Sequence, residues 1–170
     1  MLIKEILNIS CPTFDGRHQQ NLLCAVDVDN WGQRLPDMKI KDEALNFLSS
    51  VNDDETFFLA VGFHKPHVPF HIPREYLDRH PLDNFYFNQS MPKDLPAIAW
   101  NPWMDLKRRE DVKKLNITFP YGRMPVDFAA YVRHHYYAGA IYINSSHFTP
   151  CAMNKIGDFC PFNFSCIICR

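Results

Sequence analysis

The chain has 170 residues, 46% of them hydrophobic and 22% charged, which is the composition of a globular protein with one core. A formal net charge of -1 supplies no general basic field, so wrapping a nucleic acid or lying on an anionic membrane is not expected. The sequence contains no run of about 18 apolar residues, the length that spans a bilayer. A small or locally recognised ligand fits this composition better.

The N-terminal part of the chain predicts loops around one short extended piece. Residues 1–10 place Glu5 inside a short apolar segment and lack a small-residue cleavage site, so we expect no signal peptide there. The extended piece covers residues 22–28. Asp27 and Asp29 alternate at its end, where they either share one face of a strand or face solvent beside it, and we favour the second arrangement.

A helix followed by a strand is predicted next. Residues 38–48 carry an apolar stripe at helical spacing, which indicates a short amphipathic helix. The members of this stripe are Ala44, Leu45, Phe47 and Leu48. Residues 57–63 form an apolar run that is too short for a core helix and rich in residues that suit a sheet. We therefore expect a buried strand there, parallel to its neighbours and covered on both faces, with flanking helices.

Three ionisable side chains, His64, Lys65 and His67, follow that strand. The ligand crevice of an open α/β sheet lies beyond the carboxyl ends of its strands, so this loop is the candidate site. Pro66 and Pro69 break any helix, which argues against a metal site with histidines one turn apart. Lys65 offers a compact positive charge and His67 a proton near neutral pH, which suits phosphate or sulfate. The alternative, that these side chains only bond backbone and face water, stays open.

The remainder of the chain alternates short helices with irregular structure. We expect a helical turn over residues 73–80 and an irregular excursion over 82–103. Residues 105–115 form a charged segment. Its basic residues either attract an anion or form a solvated face of mixed sign. Residues 125–142 are the longest helix candidate, with Pro125 in the first turn. The side chains expected to share one side of it are Phe128, Tyr131, Val132, His135 and Tyr142.

Cysteines and glycosylation sequons bear on metals and on the compartment. Cys166 and Cys169 have the C-x-x-C spacing of a zinc half-site, but no second pair stands at zinc-finger distance, so we favour incidental thiols. Asn-x-Ser/Thr sequons point to the secretory pathway. They begin at Asn8, Asn88, Asn116, Asn144 and Asn163.

Stretches of the sequence closely resemble the sulfatase family, in the family's order and spacing: residues 21–28, 57–70, 101–105 and 120–128. The longest is the run FFLAVGFHKPHVPF, which contains the candidate loop. The resemblance covers residues 11–143 and rests on several long matches instead of one short pattern. It implies an α/β fold of the alkaline-phosphatase-like type, present in part.

The resemblance also implies a chemistry, namely hydrolysis of sulfuric esters that removes the 2-O-sulfate of iduronate in dermatan sulfate and heparan sulfate, in the lysosome. Sulfatases use a formylglycine made from a cysteine in a Cys-x-Pro-Ser-Arg motif, and a calcium ion held by aspartates binds the sulfate. His67 falls on the sulfate-pocket histidine and Lys65 on the adjoining lysine, so both are expected as catalytic and substrate-binding residues. Asn116 matches a glycosylation site, and Cys11 matches a cysteine that pairs with one further upstream.

The chain also departs from the family pattern. It has no Cys-x-Pro-Ser-Arg motif with paired aspartates ahead of it, no Asp-His segment to complete a calcium site, and no cysteine upstream of Cys11. We therefore expect a partial N-terminal sulfatase domain over residues 11–143, between an unrelated leader at 1–10 and an unrelated cysteine-containing tail at 144–170. The expected family activity is sulfatase, with this chain inactive by itself. The alternative is a non-catalytic module that binds sulfated glycan through the candidate loop and the basic residues of the charged segment.

Overall fold

The computed structural model describes residues 10–12, 17–30, 32, 34–52, 54–86, 93–100, 103–146, 159–162 and 165–169. It mixes helices and strands, as expected for an α/β protein. The described strands are β1 (Cys11–Pro12), β2 (His18–Gln19), β3 (Leu23–Val26), β4 (Phe58–Gly62), β5 (Phe70–Pro73), β6 (Phe159–Phe162) and β7 (Ser165–Cys169). The described helices are α1 (Pro36–Ser50), α2 (Arg74–Leu77), α3 (Glu110–Lys113) and α4 (Val126–Ser146), with 3-10 turns at Leu82–Phe85 and Ala97–Ala99.

Helix α1 confirms the amphipathic helix predicted over residues 38–48 and extends it by two residues at each end. Pro36 begins the helix, at a position where its missing N–H leaves no hydrogen bond unmade. Ala44 and Leu48 are buried in one cluster with Val61 of β4. The helix therefore packs on the strand that follows it, as the pattern predicted.

Strand β4 is not the buried parallel strand that the apolar run predicted. It pairs antiparallel with β7, with Val61 opposite Cys166, and β7 pairs antiparallel with β6. Val61 is buried, whereas Phe58 is 67% exposed. An apolar run does not reveal which face is covered, so it could not separate burial on two sides from burial on one. The strand is confirmed, but its predicted parallel pairing and two-sided burial are wrong.

The parallel pair is formed instead by β3 and β5, which lie on either side of β4 in the sequence. Their register runs from Leu23 opposite Phe70 to Val26 opposite Pro73. Apolar side chains of both strands pack in one cluster with Tyr142 of helix α4. The main core therefore lies between this pair of strands and the long helix.

A disulfide joins Cys11 of β1 to Cys24 of β3, with the two Cα atoms 5.7 Å apart. The resemblance to sulfatases implied a partner upstream of Cys11, where the sequence offers no cysteine. The structure corrects that expectation, since the partner lies downstream. The pairing is possible because the β1–β2 hairpin, with Cys11 opposite Gln19, folds against β3.

Helix α4 confirms the helix predicted over residues 125–142 and continues past its predicted end. One prediction about its faces is wrong: His135 is buried, but Tyr131, expected on the same side, is 44% exposed. Gly139 lies beneath the candidate loop, where an added Cβ would stand 3.6 Å from the Cα of Pro66. The loop therefore rests on the middle of this helix.

The shorter segments largely follow the sequence. Helix α2 lies within residues 73–80, and α3 is one short helix within the charged segment 105–115. The excursion over 82–103 contains two 3-10 turns, and its residues 87–92 and 101–102 lie outside the described part of the chain. Among the helices that the structure describes, none combines the length and apolar character needed to cross a membrane.

The predicted end segments are described only in part. Residues 1–9 of the leader lie outside the described residues. Helix α4 runs across the predicted boundary at 143–144, and the segment 144–170 supplies strands β6 and β7, which extend the sheet of β4. The division into leader, domain and tail stays a prediction.

Candidate functional site

The candidate loop lies between β4 and β5 and is tied to helix α1. The amide of His67 donates to the carbonyl of His64 at 2.9 Å, which closes a turn. The amide of His64 in turn donates to the carboxylate of Asp37 at 2.6 Å, and Asp37 is buried in the first turn of α1. The loop thus follows an antiparallel strand and precedes the parallel strand β5, so its predicted place at the carboxyl edge of a parallel sheet is wrong.

Lys65 points into the protein. It is 3% exposed, and its Nζ donates to the carbonyl oxygens of Pro69 at 2.9 Å and His67 at 3.2 Å. Burial lowers the pKa of Lys65 to about 8, while the charge of Asp37 acts in the opposite direction. The ammonium group therefore holds the loop from inside.

His67 is the exposed member of the three predicted residues. Its Nδ1 lies 2.6 Å from the carbonyl oxygen of Val68. Because a carbonyl only accepts, Nδ1 carries the hydrogen, and Nε2 is the nitrogen that can meet a ligand. The ring of His64 stands 4.9 Å away between centroids, with its Nε2 3.2 Å from the same carbonyl. Burial, followed by the charge of Lys65, lowers the pKa of His64.

Sequence reasoning missed two residues of this region, Asp37 and His71. Asp37 gave little signal because acids are common in the first turn of any helix. His71 lies on β5 with 1% exposure, and neither ring nitrogen has a hydrogen-bond partner among the described residues. Burial, then the charges of Lys65, Arg109 and His64, lowers its pKa to about 3. The available signal was a histidine inside the otherwise apolar strand FHIP.

An apolar groove of about 390 Å³ opens beside His67, between the loop and helix α4. Its walls are mainly aromatic and include His67, Phe70, Trp103, Tyr136 and Tyr137. Clefts of this size with apolar walls and few polar groups are typical of ligand sites. A ligand that reaches Nε2 of His67 would lie partly against this groove.

The carboxyl ends of β3 and β5 open onto a second cleft of about 460 Å³ with several acidic side chains. Asp27 and Asp29 lie in it, beyond the end of β3 and exposed, so the favoured prediction of solvent-facing acids is confirmed. Within the part of the chain that the structure describes, no three His, Cys, Asp or Glu side chains form a group that could hold a metal ion. The calcium ion implied by the resemblance therefore does not fit the described residues.

The basic residues of the charged segment do not form one continuous patch. Lys107 and Arg108 are exposed, but Arg109 is partly buried. Lys113 forms an ion pair with Glu110. Lys114 is exposed and donates to the side-chain oxygen of Gln19 at 3.3 Å, so a binding surface on this segment would rest on Lys107, Arg108 and Lys114.

The sequon asparagine Asn116 is exposed and follows helix α3 with a φ of 51°. Asn144 is exposed as well, near the end of α4. Asn8, Asn88 and Asn163 lie outside the described residues. Both described asparagines are thus accessible to modification.

No family model matches the chain. The chain is 42% identical to iduronate 2-sulfatase of Mus musculus and 43% identical to that of Homo sapiens, in each case over 140 residues, which are 80% of this chain. The matched residues make up 25% and 26% of those proteins, so the chain spans about a quarter of the length of these curated relatives. A sulfatase of Formosa agariphila is 46% identical over 47 residues, which are 28% of this chain and 9% of that protein. The resemblance to sulfatases is thereby confirmed: over four fifths of its length, this chain corresponds to about a quarter of an iduronate 2-sulfatase.

Proposed function

We propose that this chain supplies one wall of a sulfatase active site, in a protein that hydrolyses sulfate esters. The observation that carries the proposal is the exposed ring of His67, fixed through Nδ1 on a loop that Asp37 and Lys65 hold in place. The loop lies in the stretch that resembles sulfatases. From the names of the relatives we extend the proposal to the 2-sulfate of iduronate as the substrate. The resemblance described above implies dermatan sulfate and heparan sulfate as the glycans that carry it.

His67 would act on the anionic end of the substrate. In its protonated form the ring donates from Nε2 to a sulfate oxygen or to the oxygen that leaves. As the S–O bond to the sugar breaks, the leaving oxygen takes up a proton and departs as an alcohol. Water supplies the oxygen that ends on sulfur, and hydrogen sulfate is the second product, so atoms and charge balance.

Lys65 would contribute its charge without touching the substrate. The ammonium group is buried on the carbonyls of Pro69 and His67. A positive charge below a partly desolvated loop raises the electrostatic potential above it, which attracts an anion to the exposed ring of His67. The resemblance implies calcium for the family, and we propose it for the whole sulfatase, but no step is assigned to it in this chain.

We also propose that the protein enters the secretory pathway and reaches the lysosome. The disulfide between Cys11 and Cys24 supports this, since such bonds persist in oxidising compartments. The exposed sequon at Asn116 supports it too, and we propose that this asparagine is glycosylated.

The binding step can be tested with the purified 170-residue chain and a disaccharide that contains 2-O-sulfated iduronate. We expect calorimetry to detect binding that weakens about tenfold in His67→Ala, because a charge-assisted hydrogen bond is lost. His80→Ala, on the chain between α2 and the first 3-10 turn, is the matched control and should bind like wild type. Equal affinity of wild type and His67→Ala would contradict the proposal.

The catalytic step should be absent from this chain alone. The sequence holds no Cys-x-Pro-Ser-Arg motif from which a formylglycine is made. We expect no release of 4-methylumbelliferone from its iduronate 2-sulfate conjugate in a coupled assay. Turnover that disappears in His67→Ala would overturn the proposed inactivity while supporting the role of His67.

A non-catalytic glycan-binding module is the weaker candidate. It would need the basic residues of the charged segment to act together, and the ion pair of Lys113 and the partial burial of Arg109 speak against that. Salt-sensitive heparin binding that survives His67→Ala but not charge reversal at Lys107 and Arg108 would favour it. We therefore keep the wall of a sulfatase site as the conclusion.

A further inference from the structure

His71 is a buried side chain whose hydrogen-bonding capacity is unused. It is 1% exposed, and both ring nitrogens lack a partner within the described residues. Buried polar side chains nearly always have partners, in protein or in bound solvent and ions. A terminal nitrogen of Arg109 is also buried without a described partner. These orphaned groups point to a ligand between them.

Backbone contacts bring the two residues to the same place. The amide of His71 and the Nζ of Lys65 both donate to the carbonyl of Pro69, at 3.0 and 2.9 Å. The chain next to Arg109 is fixed on β3, because the carboxylate of Asp111 accepts the amides of Leu22 and Leu23. The carbonyl of Leu22 then accepts the amide of Phe70, the neighbour of His71. His71 and Arg109 therefore both lie at the amino ends of β3 and β5, and the charge of Arg109 acts on the ring of His71.

The charge at this place is positive. The positive charges that lower the pKa of His71 are those of Lys65 from the loop, of Arg109 from the segment before α3 and, when its ring is protonated, of His64. Asp111 and Asp105 are the acids whose charges act on Arg109, and both carboxylate oxygens of Asp111 are already bonded to backbone amides. Asp37 accepts the amide of His64, and its charge acts on Lys65. A water molecule could satisfy the orphaned nitrogens, but only an anion would also compensate the charge.

We propose that His71 and Arg109 form a buried binding site for a small inorganic anion, and that His71 takes up a proton when the anion binds. This site lies inside the protein, apart from the exposed ring of His67, and it does not depend on sulfatase activity.

Proton uptake follows from the donor inventory of the ring. A neutral imidazole has one acceptor nitrogen, which repels an anion, whereas the protonated ring has two donors. In the absence of an anion burial keeps the pKa of His71 at about 3. A bound anion raises that pKa, so by linkage the affinity rises up to about tenfold for each pH unit of acidification between the two pKa values.

The test uses the full 170-residue chain with carbon-13 labelled histidine, followed by NMR while chloride or sulfate is added. Ionic strength is held constant with a bulky organic anion, at pH 5.5 and at pH 7.5. We expect the ring signal of His71 to move saturably toward its protonated position, with up to about a hundredfold tighter binding at pH 5.5. The two salts distinguish a site for a monatomic ion from one for a tetrahedral oxyanion, and saturation by either supports the proposal.

Matched variants separate the site from general charge effects. Arg109→Gln should weaken the anion-dependent shift of His71 at least about tenfold, since a charged donor is lost. Arg108→Gln removes the same charge from the exposed neighbour and should leave the shift unchanged. A His71 signal that ignores both anions, or an equal loss in the two variants, would overturn the inference. A response of His67 alone would overturn it as well, and would leave the proposed function intact.

Discussion

His67 and His71 are four residues apart in the sequence and differ in exposure and in hydrogen bonding. His67 lies on the loop, exposed, with Nδ1 fixed by the carbonyl of Val68 and Nε2 turned to solvent. His71 lies on β5, buried, with neither nitrogen bonded to any described group. The difference shows that a histidine is available to an outside ligand only where the backbone holds one nitrogen and water reaches the other.

Removal of the disulfide should have the largest effect on the difference between His67 and His71, because Cys24 lies opposite His71 in the sheet register. The double variant Cys11→Ser/Cys24→Ser should lower the free energy of unfolding by about 3 kcal/mol, as removal of a closed loop of this size does. It should also speed hydrogen exchange at the amide of His71 and leave the loop around His67 unchanged. Chemical denaturation and exchange NMR measure the two effects, and unchanged exchange at His71 would mean that the disulfide does not support this strand.

Acid should destabilise the protein through His71. The folded-state pKa of His71 is about 3, below the ordinary value of 6.5, so the unfolded chain binds the proton more readily. The stabilisation is fully present above pH 6.5 and is lost as the pH falls toward 3. Between pH 6.5 and 5 the free energy of unfolding should fall by about 2 kcal/mol for this reason. The pKa of His135 is lowered to about 4 by burial and adds a similar slope.

The free energy of unfolding of wild type, His71→Gln and His67→Gln, measured by denaturation across this pH range without small anions, isolates the contribution of His71. His71→Gln should flatten the slope by the amount above, whereas His67→Gln should follow wild type. Parallel profiles for wild type and His71→Gln would show that the buried ring does not resist protonation.

A smaller effect is expected from Asp37→Asn, which keeps an acceptor for the amide of His64 but removes the negative charge near Lys65. The free energy of unfolding should fall by about 1 kcal/mol, the difference between a charged and a neutral acceptor. The pKa of Lys65 should fall further below 8, because the charge that opposes the effect of burial is gone. Asp42→Asn, which removes an exposed carboxylate of the same helix paired with Arg34, is the control and should leave the Lys65 titration in place.

The parts of the fold that repeat a clear period could be predicted from the sequence. Helices α1 and α4 and the position of β4 follow from the spacing of their apolar residues. The antiparallel partner of β4 could not be predicted, because an apolar run does not encode pairing with a strand about one hundred residues away in the chain. The disulfide was missed for a related reason, since the hairpin that brings Cys11 to Cys24 spans only two residues in each strand.

Of the candidate site, the loop could be predicted from the sequence, and the resemblance to a family added the roles of its residues. The loop residues His64, Lys65 and His67 were found together, but the inward direction of Lys65 depends on carbonyls of its own loop. Asp37 is 27 residues from the amide that it binds, so no local pattern marks it. His71 and Arg109 are brought to the same end of the sheet only by the register of β3 and β5 and the contacts of Asp111.

The most direct test of the central claim is an NMR titration of the histidine rings with the disaccharide that contains 2-O-sulfated iduronate, and with the same disaccharide without sulfate. We expect a saturable shift of the His67 ring signal with the sulfated ligand and none with the unsulfated one. A His67 signal that stays in place while the sulfated ligand shifts residues of the charged segment would contradict it.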